Sequence, residues 1–412
     1  MKKITECRIC RSRNIVEFLD LGEQPFANSL LKSLDEPEFF YPLSLSWCPD
    51  CHLVQLNHTA EPTDLFSNYV WVTSTSRTAR EHSEVFYNEI LSRTKNLEKS
   101  YVLEIASNDG TFLLPFVKGG FNVLGVDPAK NIVDIATANG VPTKCKFFGV
   151  KAAEEIIEEF GQANVVIARN VLPHVANLHD FVKGLHMCLQ EEGLLVIEFH
   201  YAMKIYKELH YDSIYHEHLC YFTMESIERL LKQFNLFVTD INESPISGGS
   251  LILYIKKKTG SELPVVRSYR DSEKKIKLNE LRSWQNFAER VFSHREELLK
   301  ILTDITDKTG PVVGYGASAR SSTLLNFCGI DTRFISRIAD QNPLKHKYYT
   351  AATHMPIDSP ENVINKNIDC VFILAWNFTE EIIDILRNRF GYSGKCIIPL
   401  PNNPKIKYIE GN

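Results

Sequence analysis

Ser100-Tyr101-Val102-Leu103-Glu104-Ile105 is a short apolar run that reads as a buried strand, and Ala106-Ser107-Asn108-Asp109-Gly110 breaks it. The chain restarts as a helical segment at Thr111-Phe112-Leu113-Leu114. A second strand, Asn122-Val123-Leu124-Gly125-Val126, ends at Asp127. Strand, tight turn, helix and strand make the unit of a parallel α/β sheet, in which ligands sit at the carboxyl edge. Outward from this unit the pattern repeats. Val165-Val166-Ile167-Ala168 and Leu194-Leu195-Val196-Ile197-Glu198 are further strands separated by helical stretches, and a helix is expected ahead of them all over 76–96.

Further out, 271–305 is charged, with Ile276, Leu281, Trp284, Phe287, Val291, Leu298 and Leu302 at helical spacing, as in a connecting helix or helix pair packed on one face. Beyond it Val312-Val313-Gly314-Tyr315, 335–340 and 371–374 restart the alternation as a second, smaller α/β unit. In the other direction lie Cys7-Arg8-Ile9-Cys10 and Cys48-Pro49-Asp50-Cys51, with an extended segment between them. Two C-x-x-C turns bring four thiolates to one tetrahedral ion and leave no open position, which is the pattern of a structural zinc ribbon. Cys7, Cys10, Cys48 and Cys51 are thus candidate ligands; unligated surface cysteines are the alternative, and a redox pair explains one C-x-x-C but not two.

Three units follow: a zinc-binding domain over 1–58, a Rossmann-like α/β domain over 59–262, and a C-terminal α/β domain with a leading helix over 263–412. A length of 412 residues suits two to three domains. Net charge is −5, so no basic field favours a nucleic-acid partner. The first residues lack a signal-peptide pattern, and no apolar run reaches the ~18 residues of a membrane span. A cytoplasmic protein is expected, with its ten cysteines outside structural disulfides. A monomer is compatible with all of this.

The turn after Ile105 holds one glycine, so the dinucleotide pattern G-x-G-x-x-G is absent. Glu104, Ser107, Asn108, Asp109 and Gly110 frame it; Asp127 can accept from ribose hydroxyls, and Pro128, Arg169 and Asn170 stand at neighbouring strand ends. A cofactor without a pyrophosphate needs less glycine and tolerates more carboxylate. S-adenosylmethionine, with its sulfonium and ammonium cations, fits; a capped βα turn with no ligand is the alternative.

Tyr211-Asp212-Ser213-Ile214-Tyr215-His216-Glu217-His218-Leu219-Cys220-Tyr221-Phe222 concentrates proton-transfer groups. Extended, it would place Glu217 opposite His216 and His218; as a turn, it would bring them together. A metal site and a polar core cluster are the other readings, although the i,i+4 spacing of H-E-x-x-H is missing. His174 follows a strand end, where ligands bind. In Gly314-Tyr315-Gly316-Ala317-Ser318-Ala319-Arg320-Ser321 a turn and helix start offer N–H groups to an anion, and Arg320 can grip a diphosphate. Alone, that turn also reads as a degenerate NAD site.

In this order the cysteine knuckles, E-I-x-x-N-D-G, Y-H-E-H-x-x-Y-F, Gly248-Gly249-Ser250, G-Y-G-A, Asp340-Gln341-Asn342-Pro343 and Trp376-Asn377 resemble the sugar C-methyltransferases that act on nucleotide-linked deoxy-4-keto-sugars. The resemblance implies a zinc domain, a methyl-donor domain, and a C-terminal domain that binds the sugar nucleotide against the second. It implies His218 as general base, with Tyr215, Glu217 and His174 around the sugar and Tyr69 closing the site. His216, Tyr221, Gly249, Ser250, Tyr315, Ala317, Arg320, Ser321, Asp340 and Asn377 would meet the substrate. Methylation next to the ketone is expected at C-3 in preference to C-5. An O-methyltransferase on the same scaffold, a nucleotide-sugar oxidoreductase and a non-catalytic scaffold are the rival readings.

Overall fold

The central sheet has seven strands: β1 Tyr101–Ile105, β2 Asn122–Asp127, β3 Thr143–Cys145, β4 Ala163–Arg169, β5 Leu189–His200, β6 Phe237–Ser244 and β7 Ser250–Lys256. The computed structural model of the protein that shows this describes residues 1–67, 69, 71–94, 100–258, 262–365 and 367–410. Strand order is β6-β7-β5-β4-β1-β2-β3. The first five are parallel because apolar residues line both faces: Val102, Leu103 and Ile105 in β1 and 165–168 in β4 are all buried beneath helices. Order reverses between β1 and β4, and the crevice opened there is where α/β sheets bind ligands.

β7 runs antiparallel to β5, and β6 antiparallel to β7. This hairpin is absent from the sequence reading for a physical reason. A bulge between Val238 and Asp240 breaks the inward–outward alternation of a polar, half-buried edge strand. The helix expected from Thr111 starts at Leu114, because Gly110 turns the chain at φ 79° and Pro115 sits in the first helical turn. The helix expected over 76–96 is Arg77–Arg93, capped by the Ser76 hydroxyl; Asn96 lies outside the described residues, as do Asn68 and Val70 beside Tyr69.

The connecting region is a helix pair, Pro264–Lys275 and Leu281–Thr309, and the second buries Trp284, Phe287, Val291, Leu298 and Leu302 on one face. After it come β8 Val312–Tyr315, β9 Ile335–Ala339, β10 Ile357–Asp358, β11 Cys370–Ile373, β12 Gly394–Ile398 and β13 Lys405–Ile409. Their order is β10-β9-β8-β11-β12-β13, with only the last pair antiparallel. Gly316 follows β8 at φ 94°, where a Cβ would come within 2.4 Å of the Ala375 Cβ. Only glycine permits that approach.

The N-terminal domain is a small antiparallel sheet of Val16–Gln24, Tyr41–Trp47 and Val54–Leu56. Its fourth strand comes from the middle of the chain: Cys220–Tyr221 pairs with Val54–Leu56. Phe18 of this domain meets Trp284 of the long helix with ring centroids 5.8 Å apart, and Leu31 bridges to Tyr349. The zinc domain therefore touches both α/β units. Among the described residues no helix is long and apolar enough to cross a membrane.

Candidate active site

The two cysteine knuckles fold alike. Arg11 N donates to the Cys7 carbonyl at 3.0 Å and His52 N to that of Cys48 at 2.8 Å, with both residues in the left-handed region at φ 61° and 60°. The four Sγ atoms of Cys7, Cys10, Cys48 and Cys51 lie within 4.8 Å of one another. A tetrahedral ion with Zn–S bonds of ~2.3 Å spaces sulfurs ~3.8 Å apart, so the donor set fits structural zinc with no ligand position left over. Among the described residues this is the one cluster of three or more potential metal ligands.

A cavity of about 660 Å³ runs from the carboxyl ends of β1 and β2 across to the C-terminal domain. Its first end is acidic. Glu104, Ser107 and Asn108 after β1, Asp127 and Pro128 after β2, and Arg169 and Asn170 after β4 line it. Asn108 sits at φ 50° and Ala106 at 56°, a conformation that disfavours a side chain; backbone bonds from Ala106 and Ser107 to the Val126 carbonyl hold it. Asp127 accepts from the N–H groups of Asn108 at 3.0 Å and Ala129 at 2.9 Å, while burial raises its pKa. Arg169 binds Glu198 at 2.6 Å and lies 3.9 Å from Glu104. Burial still pushes the Glu104 carboxyl up to about 8. Glu104 Oε2 and Ser107 Oγ are buried with no hydrogen-bond partner among the described residues. Carboxylates in excess of one guanidinium, with unsatisfied oxygens, match a ligand carrying a sulfonium and an ammonium.

Asp109 and Gly110 do not line this cavity. Asp109 is fully buried and accepts from Ser74 N at 2.9 Å and the Thr111 hydroxyl at 2.7 Å, so it ties the turn to the short 3-10 turn Thr73–Thr75 that leads into the helix Arg77–Arg93. Gly110 faces Val141, 2.7 Å from where a Cβ would sit.

The middle of the cavity holds His174, Tyr215, His218 and Tyr221, with Tyr69 above them. Residues 215–218 form a turn, closed by His218 N on the Tyr215 carbonyl at 2.9 Å, yet its side chains do not converge. His218 Nδ1 lies 2.7 Å from the Ser213 carbonyl, which can only accept, so Nδ1 carries the proton. Nε2 then offers its lone pair to the Tyr215 hydroxyl at 2.8 Å. Burial, with His174 beside it at 4.8 Å between ring centroids, holds the His218 pKa well below the ordinary imidazole value. Burial lowers His174 to about 4, so both rings are neutral at pH 7. Burial also lifts Tyr215 well above the usual phenol range.

Glu217 is one bond removed from the cavity: its oxygens accept from Tyr69 OH at 3.2 Å and Asn28 Nδ2 at 2.6 Å. Burial raises it to about 7 against those two donors. His216 turns away to the Tyr41 carbonyl at 3.2 Å, packed edge-on to Phe26.

The far end holds two buried ion pairs, Arg320 with Asp212 at 3.0 Å and Lys345 with Asp340 at 3.6 Å. Arg320, Asn377 and Lys345 line it. Arg320 donates to Asp212 at 3.0 Å with its guanidinium 4.6 Å from the centre of the Trp376 ring, and Trp376 Nε1 binds the other Asp212 oxygen at 2.6 Å. Behind them Asp340 accepts from Ala317 N and Asn342 N, both at 2.8 Å, and Lys345 Nζ reaches the Ala317 carbonyl at 2.7 Å. Ser321 donates its N–H to the Ser318 cap and Tyr315 accepts from Gln341, so Tyr315, Ala317, Ser321 and Asp340 build the turn without lining the cavity. Gly249 packs on Lys204, and Ser250 Oγ binds the Ile246 carbonyl; neither lines it.

Sequence reasoning missed His200, Lys345, Asp212 and Asn28. His200 ends β5 and carried the same strand-end signal as His174. Asp212 lay inside the segment read for proton transfer. Asn28 carried no signal, because only docking of the zinc domain brings it here.

Three family descriptions match the chain in succession: a zinc binding domain over residues 7–66, a Methyltransferase domain over 79–241 and a C-methyltransferase C-terminal domain over 245–401. The C-methyltransferase NovU of Streptomyces niveus is 30% identical over 414 residues, spanning 100% of this chain and 98% of that protein. The Ubiquinone biosynthesis O-methyltransferase of Rickettsia prowazekii (strain Madrid E) is 28% identical over 114 residues, 28% of this chain and 45% of the relative. The magnesium protoporphyrin IX methyltransferase of Synechocystis PCC 6803 overlaps 43% of this chain and 78% of its own at 14% identity and a TM-score of 0.33, a likeness too slight to carry an argument. With a donor pocket, a closed four-cysteine site and a full-length relative in agreement, the chain belongs to the C-methyltransferase family built from these three domains, and is an S-adenosylmethionine-dependent enzyme with a structural zinc site.

Proposed function

We propose that the protein methylates a ring carbon next to the ketone of a nucleotide-linked 4-keto-deoxysugar, at C-3 in preference to C-5. One observation carries this reading: a single cavity joins an acidic pocket, a neutral histidine–tyrosine pair and an end lined by Arg320 and Lys345. Bound S-adenosylmethionine supplies an electrophilic methyl group to the carbanion of the substrate. Glu104 and Asp127 hold its cationic and ribose groups, with Ser107, Asn108 and Asn170 around them. A ring carbon becomes a nucleophile only after losing a proton, which the adjacent ketone makes acidic. His218 Nε2, the ring nitrogen with the lone pair, is the proton acceptor, and the Tyr215 hydroxyl on it is the group that follows or relays the transfer. His174, which lines the same cavity with its ring centroid 4.8 Å from that of His218, supports the enolate oxygen. Arg320, fixed by Asp212, and Lys345 supply charge for a diphosphate, and Tyr221 and Asn377 flank the sugar.

Mass spectrometry after incubation with S-adenosylmethionine and a panel of TDP-, GDP- and CDP-linked 4-keto-sugars tests it. A product heavier by one methylene, formed with solvent deuterium entering the adjacent carbon, is expected. If no keto-sugar is methylated, the reading fails.

A further inference from the structure

The zinc domain reaches the reaction site with one polar side chain. Asn28 follows the strand Val16–Gln24, in a turn where Ser29 N and Oγ both bind the Phe26 carbonyl. Phe26 stacks on Tyr41 at 4.6 Å and meets His216 edge-on at 5.3 Å, while His216 binds the Tyr41 carbonyl. That aromatic trio fastens the zinc domain to residue 216. Two residues beyond Phe26, the Asn28 amide donates to Glu217 Oε1 at 2.6 Å. The other Glu217 oxygen accepts from Tyr69, whose backbone is held at both ends by the Asn131 side chain of the donor domain. Asn28 and Tyr69 both line the cavity.

We propose that Asn28 is a positioning residue for methyl transfer: through its amide the zinc domain holds the Glu217 carboxylate turned toward Tyr69. The catalytic part of this rests on the reading that Glu217 and Tyr69 face a keto-sugar. An amide can serve either form of a carboxyl by rotating, but Nδ2 donates here, and a donor favours the anion. Tyr69 donates as well, so each oxygen of the carboxylate has one partner. The titratable groups facing Glu217 are Tyr69 from the segment before the helix Arg77–Arg93, Tyr215 on its own turn and His174 after β4. Burial works against the anion in this setting and holds the carboxyl at about 7, so the loss of either donor is felt at neutral pH.

The test uses the zinc-loaded full chain, with Asn28→Ala and Asn28→Leu as variants. Asn28 is only half-buried, and zinc content and donor affinity check that each variant is folded. Infrared titration reads the protonated carboxyl band that Glu217→Gln removes. In both variants its midpoint should move up by about one pH unit, the worth of one hydrogen bond to a charged group. The acidic limb of turnover should follow it, giving about a fivefold loss at pH 7 that recovers by pH 9. A midpoint that stays in place overturns the proposal, and so does a moved midpoint with an unmoved limb. If the wild type methylates no keto-sugar, the proposed function fails by itself, while the infrared midpoint still decides whether Asn28 governs Glu217.

Discussion

The two ends of the cavity are built in opposite ways. The donor end comes from one stretch of chain: Glu104, Ser107, Asn108 and Asp127 sit on consecutive strand ends of one sheet, held by backbone bonds between neighbouring turns. The acceptor end is assembled from three domains. Asn28 comes from the zinc domain, Tyr215 and His218 from a turn of the central one, and Arg320 and Trp376 from the C-terminal one. A local pocket can keep its shape when distant packing fails, whereas an assembled one cannot. Donor binding and methyl transfer should therefore separate under mutation.

The largest separation is expected at the base. His218→Ala should lower methyl transfer by about 10³-fold, the usual worth of a general base, while calorimetry finds donor affinity unchanged. Unchanged turnover would remove His218 from its assigned role. Zinc removal comes next. Cys48→Ser, or a chelator, should release the sheet that Cys220–Tyr221 completes and the turn that carries Asn28. A loss of roughly 100-fold in turnover is expected, with a smaller loss of donor affinity, since structural zinc is worth many kcal/mol to the domain that binds it. Equal losses would mean that the two ends are not independent.

At the donor end the effects are smaller and inverted. Asp127→Asn should weaken S-adenosylmethionine by about tenfold, the worth of one charged hydrogen bond, and leave turnover at saturating donor nearly intact. An effect of the same size, but visible only as a pH dependence, follows from Glu104, which burial holds at about 8. Below that pH the free protein carries its proton, and a cation beside the carboxyl expels it. Affinity should therefore rise with pH, by about tenfold between pH 7 and 9 if the bound form is fully ionised, and level off above. Glu104→Gln should lose that slope relative to wild type; a slope that persists in the variant would assign it to another group.

The same contrast decides what could be read in advance. The parallel strands β1, β2, β4, β5, β8, β9 and β11 were legible from apolar runs, and the long helix from Trp284, Phe287, Val291 and Leu298 at helical spacing, since both signals are local; β3, β10 and β12 carried no such run. The hairpin of β6 and β7 was not, because a bulge and polar residues erase its alternation. Of the acidic turn, Glu104 and Asp127 reach the cavity but Asp109 serves the fold; composition cannot tell a carboxylate aimed at a ligand from one capping a neighbouring backbone.

Residue type and spacing pointed to the four clustered cysteines, to the strand ends that line the cavity, and to a segment at 215–218 rich in titratable side chains. All of these depend on neighbours a few residues away or on two short repeats of one motif. Tertiary structure alone decided which way each side chain of that segment turned: His216 to the zinc domain, Glu217 to Asn28 and Tyr69, His218 to Tyr215. The partners of His216 and Glu217 lie from 148 to 189 residues away, and a chain cannot announce a hydrogen bond whose other half arrives only when separate segments pack.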